Sequence, residues 1–284
     1  MEKKTSDRSL KCLAILSALL FFGVLAVNVA ANALPLNGVT TGQLSDEIPN
    51  LFVPAGLTFS IWGLIYLLLA LYVVFIIAES FGRRSGAAWS VGDAVLFCVN
   101  EAANIGWIFA WQWRLVPLSL GIMLVILGTL IALEVRATKR LRSGGELARG
   151  KWLPRFALSV PIRVYLGWIL VATIANATAC LVKAGWDGFG LDPRFWTVLV
   201  IVVGCALALG FAFTRRAIAT PAVVIWAYLG IIIKRLSVDR DYSASVWITA
   251  LAAAIVISLA IVFISLRPKR GAKVTEYRQG VSRR

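Results

Sequence analysis

The chain has 284 residues, of which 60% are hydrophobic and only 15% charged, and its 29 Lys and Arg against 14 Asp and Glu give a net charge of +15. A mean hydropathy of +0.83 excludes a soluble domain, and several apolar runs reach the roughly 20 residues that cross a bilayer core. The positive charge does not point to nucleic acid, because no basic cluster alternates with exposed aromatics. Most Lys and Arg lie instead in short segments between apolar runs.

The chain opens with the basic head MEKKTSDRSLK and an apolar run from about Cys12 to Ala33. With Ala31-Asn32-Ala33 at its end, this could be read as a cleaved signal peptide. The run is longer than the usual 7 to 15 residues of a signal core, which favours a retained first helix. The loop LPLNGVTTGQLSDEIPN, Leu34 to Asn50, is rich in turn-forming residues and is placed to act as a lid. A second helix is expected from about Pro54 to Ala78. Within it Phe59, Trp62 and Tyr66 fall at i, i+3 and i+7, on one helical face.

A third helix is expected over about Val91 to Gln112 and a fourth over about Val116 to Val135, joined by a short turn. The loop from Arg136 to Arg155 carries seven basic residues against the single acid Glu146. Four further helices are expected over about Ala157 to Val182, Phe195 to Thr214, Ala217 to Ile233 and Ala244 to Leu266, followed by a basic tail over 267–284. Numbered by alternate sides, the segments on the side of the termini hold 22 of the 29 Lys and Arg, the other side holds 6, and Arg163 lies within a span. Lys and Arg collect on the cytoplasmic side of membrane helices. An all-α polytopic membrane bundle with both termini cytoplasmic is therefore expected, in the plasma (inner) membrane of a prokaryote.

Cys12, Cys98, Cys180 and Cys205 lie in apolar runs without CxxC spacing, so they indicate neither a disulfide framework nor zinc. The absence of histidine removes the commonest haem and transition-metal ligand. With no nucleophile-base pair and no metal cluster, neither a catalytic residue nor a metal ligand is assigned.

Two helices carry polar and aromatic side chains beyond what lipid solubility requires. In the third, Asn100, Asn104, Trp107 and Trp111 share a narrow arc with Glu101 at its edge; in the fifth, Tyr165, Trp168, Ala172 and Asn176 do the same. Taken singly, the amides read as links between helices and the rings as packing or interfacial anchors. Taken with Phe59, Trp62 and Tyr66, they describe an aromatic cavity with a few hydrogen-bonding groups. Glu101 lies about 15 Å into its helix at 1.5 Å per residue, near mid-bilayer, where carboxylates are costly and often functional. Arg163 lies closer to a helix end and is expected to snorkel.

These elements resemble the TspO/MBR family of tryptophan-rich sensory proteins, related to the translocator protein or peripheral benzodiazepine receptor. The family's pattern of prolines followed by Phe, Trp and Tyr is similar to Pro49, Pro54, Phe59, Trp62 and Tyr66. Its Asn-x-x-Trp is similar to Asn104-Ile105-Gly106-Trp107. Its Tyr-Leu-x-Trp, followed eight residues later by Asn, is similar to Tyr165-Leu166-Gly167-Trp168 and Asn176. The loop differs in having Asn50, Leu51 and Phe52 where the family has tryptophans, and Pro161 sits upstream of the family's proline.

The resemblance covers about residues 10–182 and implies a five-helix bundle that binds porphyrins, haem-like tetrapyrroles or sterols beneath the first loop. Residues 195–266 then add about three transmembrane helices. The expected function is a receptor, sensor or carrier for a flat apolar ligand. The alternatives are a proton-coupled transporter using all eight helices with Glu101 as coupling carboxylate, and a porphyrin-degrading photochemical activity. No cofactor is assigned, although a porphyrin or haem-like tetrapyrrole fits as ligand. The expected partners are the lipid bilayer and a small apolar ligand, with a homodimer allowed for and no nucleic acid.

The charge asymmetry makes a direct prediction about topology. Cysteine labelling of intact cells should find the loop at Arg142 protected from outside reagents and the loop at Gly188 accessible. The reverse pattern would invert the orientation.

Overall fold

The computed structural model describes residues 2–82, 89–143 and 152–266, with side chains from residue 7 onward. Among these residues are nine α-helices and no strands: α1 Glu2–Ala33, α2 Thr41–Asp46, α3 Ile61–Phe81, α4 Val91–Gln112, α5 Val116–Arg142, α6 Trp152–Lys183, α7 Pro193–Arg215, α8 Ala219–Val238 and α9 Ala244–Leu266. All except the short α2 are long and apolar enough to span a membrane. Helices are the necessary choice for these runs, because hydrocarbon offers no partner to a free backbone N–H or C=O. The protein is an all-α polytopic membrane bundle. The basic tail and the middle of the loop after α5 lie outside the described residues.

The first five spans close into a ring in the order α1, α4, α5, α6, α3, with α3 returning to α1. The last three pack on one another and join the ring through α8, which lies along α6. Two glycines set this seam. A Cβ on Gly167 of α6 would stand 2.8 Å from the Thr220 carbonyl oxygen and 2.9 Å from Val223 Cβ. A Cβ on Gly230 of α8 would collide with Thr58 Oγ1, ahead of α3, and stand 2.9 Å from Pro54 Cβ. Hydrogen bonds reinforce both contacts: Thr220 Oγ1 donates to the Arg163 carbonyl at 2.9 Å, Ala55 N to the Gly230 carbonyl at 3.0 Å and Trp226 Nε1 to the Thr58 carbonyl at 2.9 Å.

The α6 helix starts at Trp152 rather than Ala157, and three other boundaries differ from expectation where a tertiary partner intervenes. The second span does not run as α-helix from Pro54: residues Gly56–Ser60 form a 3-10 turn and α3 starts at Ile61, because Ala55 N bonds to α8 instead. The α5 helix continues past Val135 to Arg142, since Arg136 and Arg140 both pair with the buried Asp93 of α4 and Arg142 Nη2 donates to the Thr214 carbonyl at 3.0 Å. The α8 helix continues past Ile233 because Lys234 pairs with Asp46 and Arg235 with Asp239. On the face of the first loop, Asp192 caps α7, and the hydrogen-bonding guanidinium of Arg194 pulls its carboxyl down from the ordinary range to about 2. The cap therefore stays ionised at any physiological pH.

The longer α5 also corrects the reading of Arg163. Rather than snorkelling, Arg163 turns inward, with Nη2 2.9 Å and Nε 3.0 Å from Glu134 Oε1 and Nη2 3.2 Å from Thr138 Oγ1. Glu134 is 1% exposed. Ended at Val135, the helix would have left that carboxylate near the surface. Removing one member of a buried ion pair strands its partner, at a typical cost of 3–5 kcal/mol. Arg163→Gln should therefore lower the melting temperature of the detergent-solubilised protein sharply, and adding Glu134→Gln should restore much of the loss. A single variant as stable as the parent would show that the pair does not hold α5 to α6.

Candidate functional site

The connection between α1 and α3 folds back over one end of the ring. Thr40 caps α2, its Oγ1 accepting from Gln43 N at 3.2 Å while Gln43 Oε1 accepts from Thr40 N at 2.9 Å. Gln112, fully buried at the end of α4, holds the start of the connection: its Nε2 donates to the Leu36 and Val39 carbonyls at 2.9 and 2.8 Å. Trp111 Nε1 donates to the Thr41 carbonyl at 3.2 Å. Past α2 the fastening is lighter. Glu47 pairs with Arg114 at 2.9 Å and Asp46 with Lys234, and each pair has at least one well-exposed side chain. Ion pairs of this kind contribute about 1 kcal/mol or less.

Beneath this connection lies a cavity that gathers side chains from three directions. Phe59 and Trp62 approach from the α3 side, Trp107 and Trp111 from α4, and Trp168, Ala172 and Asn176 from α6. Thr41, Ser45, Asn50 and Val53 close it from above, with Asn28 of α1 and Met123 of α5 at its sides. The rings meet one another across it. Trp168 takes Phe59 edge-on at 5.7 Å and Trp62 at 6.3 Å, and Trp107 stacks on Trp111 at 5.6 Å. As a result the free volume is only about 60 Å³.

The chain matches the family described as TSPO-like protein over residues 14–263. It belongs to that family. The match runs from within α1 to within the last turn of α9, past residue 182 where the resemblance read from the motifs stops. No curated protein and no solved structure matches the chain.

The motif residues of this TSPO-like protein divide into two groups. Phe59, Trp62, Trp107, Trp111, Trp168, Ala172 and Asn176 line the cavity. Tyr66, Asn104 and Tyr165 do not; they build the layer that supports it. Tyr66 stacks under Trp62 at 5.4 Å, and Tyr165 meets Trp62 edge-on at 5.9 Å. Asn104 ties three helices together, accepting from Asn28 Nδ2 at 3.4 Å and donating to the Tyr165 hydroxyl. Asn100 donates to the Ile126 carbonyl and Thr129 Oγ1 of α5, and Asn176 exchanges hydrogen bonds with Ser119. These amides are links between helices, as a polar group in hydrocarbon requires.

Several polar atoms in this region stand apart from that rule, Asn100 Oδ1 and Gln112 Oε1 among them. Both Glu101 carboxylate oxygens, the Tyr66 hydroxyl and Trp107 Nε1 are buried without a hydrogen-bond partner among the described residues. Glu101 is 1% exposed at the middle of α4.

Sequence reasoning missed the contributions of α1 and α5, and it placed the first connection over the site as a lid without naming the residues that line it. Asn28 had a readable signal, an amide inside an apolar run. Thr41, Ser45, Asn50 and Val53 had none, since loop residues carry no periodicity to mark the face they present.

Proposed function

We propose that this integral membrane protein is a receptor, sensor or carrier for a flat apolar ligand, tetrapyrrole or sterol-like, taken up between the rings beneath the first connection. The observation that carries this reading is the convergence of Phe59, Trp62, Trp107, Trp111 and Trp168 from separate elements on one cavity. Ligand pockets usually measure about 300–1,000 Å³, so at about 60 Å³ the rings themselves fill most of this one. A flat ligand enters by parting ring pairs. Each ring contact, worth about 1 kcal/mol, is then replaced by a ring-ligand contact of similar strength. Loosening the exposed ion pairs of α2 and Glu47 costs little more. Without histidine, a tetrapyrrole is held by stacking and by the free Trp107 Nε1 donor rather than by imidazole ligation.

Trp62→Ala, Trp107→Ala and Trp168→Ala should each weaken tetrapyrrole binding about tenfold or more, from lost area and stacking together. Tryptophan quenching in detergent measures this, with Trp152→Ala as control because Trp152 is 71% exposed and far from the cavity. If the control weakens binding as much as the others, or correctly folded pocket variants bind normally, the shared-cavity reading is wrong.

Glu101 supports a second reading, in which the protein is a proton-coupled carrier. An unpartnered carboxylate in mid-membrane is costly when ionised, and such groups mark proton and substrate paths. The carboxylate also lies within electrostatic reach of the Tyr66 and Tyr165 hydroxyls that support the cavity floor. Glu101→Gln should abolish gradient-driven flux in proteoliposomes while leaving equilibrium binding largely intact. A wild-type protein that binds ligand but shows no gradient-driven flux would leave only the receptor reading.

A further inference from the structure

A second cavity, of about 730 Å³, opens on the same face of the protein between the five-helix ring and the last three helices. It is more than ten times the free volume of the aromatic site, and the two share a partition made by Ser45, Asn50 and Val53. One wall is the end of α6, another the first half of α7, and its mouth lies where α8 ends. Neither the aromatic motifs nor the ligand reading above involves it.

Its depth has an apolar character. Leu181 and Val182 of α6 and Leu199 and Val203 of α7 line it, and each is exposed by about two-fifths. Because α6 and α7 pack on one another only slightly, the cleft opens sideways toward the acyl chains. Val203 is ten residues beyond Pro193, so the cleft descends about 15 Å from the membrane face at 1.5 Å per residue. At its upper edge Trp186 and Trp196 pack at 4.9 Å, and Trp196 Nε1 donates to the Gly188 carbonyl at 3.0 Å. Paired indoles at this level suit the polar-apolar boundary of a bilayer.

The mouth carries both signs of charge. Arg235 is 4% exposed; its Nη1 donates to Asp239 Oδ2 at 2.8 Å, while its Nε has no hydrogen-bond partner among the described residues. Arg235 lines the mouth, and a guanidinium offers a phosphate several N–H donors in one plane. Lys234 stands next to it, paired with Asp46. Across the mouth, Asp187 is exposed and accepts from Phe189 N at 2.9 Å. The lining thus sets the carboxylates of Asp46, Asp187 and Asp239 against two cations. A purely anionic head group would meet a surplus of carboxylate, and a purely cationic one would leave the Arg235 donor unmatched.

We propose that this cleft is a binding site for a membrane phospholipid with a zwitterionic, ammonium-bearing head group. Its phosphate lies toward Arg235 and Lys234, its ammonium toward Asp187, and its acyl chains run down between α6 and α7. The site is separate from the aromatic cavity, with Ser45, Asn50 and Val53 between the two.

The test is native mass spectrometry of the full-length protein, released from nanodiscs that hold equal amounts of phosphatidylethanolamine and phosphatidylglycerol. One phosphatidylethanolamine should remain bound, preferred at least fivefold over phosphatidylglycerol. Val203→Trp, which fills the cleft from a lipid-exposed position, should reduce that occupancy at least fivefold, and Arg235→Gln should erase the preference. Tetrapyrrole quenching by Val203→Trp should stay at the parent's level, which separates failure of this site from failure of the aromatic one. No retained lipid, equal retention of both lipids, or full retention in a folded Val203→Trp would each overturn the proposal. Should Arg235→Gln fail to fold, the Val203→Trp result and the lipid preference decide it.

Discussion

The seam where α8 touches the rest of the molecule leaves no room for a side chain at either of its two glycines. At Gly167 the limit is the backbone of α6 against that of α8; at Gly230 it is Thr58 and Pro54. Close approach of this kind is how helices associate in lipid, where no hydrophobic force separates helix from solvent and van der Waals packing must do the joining. The consequence reaches the aromatic cavity. Residues 54–60 are held against α8 by the Ala55 and Trp226 hydrogen bonds, and that segment carries Phe59. The last three helices therefore fix part of the wall of a site otherwise built by the first five.

Polar groups inside the bundle follow one logic with a few exceptions. Asn28, Asn100, Asn104 and Asn176 each find partners on a neighbouring helix, and Glu134 and Arg163 neutralise one another between α5 and α6. Hydrogen bonds of this kind contribute modestly in a membrane, but leaving the groups unpaired would cost far more. Glu101, Tyr66 and Trp107 keep unmatched polar atoms beside the aromatic site. Ser80, Glu134 and Arg235 keep unmatched atoms elsewhere in the bundle, but among the described residues Glu101 is the carboxylate with neither oxygen matched.

The two cavities differ in volume, about 60 against about 730 Å³. The aromatic site is filled by its own rings and roofed by a connection fastened firmly at Gln112 and lightly at Asp46 and Glu47. The larger cleft is lined by apolar side chains of α6 and α7 and by charged ones where α8 ends. Because Ser45, Asn50 and Val53 separate them, a movement of the roof that widens one alters the wall of the other.

The class, the eight spans and the three groups of aromatic and amide residues were legible in the amino-acid sequence. Apolar run length is a one-dimensional property, and the 3.6-residue period assigns residues to a helix face without reference to any neighbour. It did not determine how those faces divide their work. Asn104 and Tyr165 share a face with Trp107 and Trp168, yet a turn of depth makes them supports rather than lining, and depth depends on how the helices are staggered. Boundaries at Ile61, Arg142 and Val238 moved because Ala55, Arg136, Arg140 and Lys234 found partners remote in sequence. Arg163 looked like a snorkelling residue until a longer α5 brought Glu134 to it. The cleft at the foot of α8 had no sequence signal at all, since its walls come from four separate segments and only their packing creates the space between them.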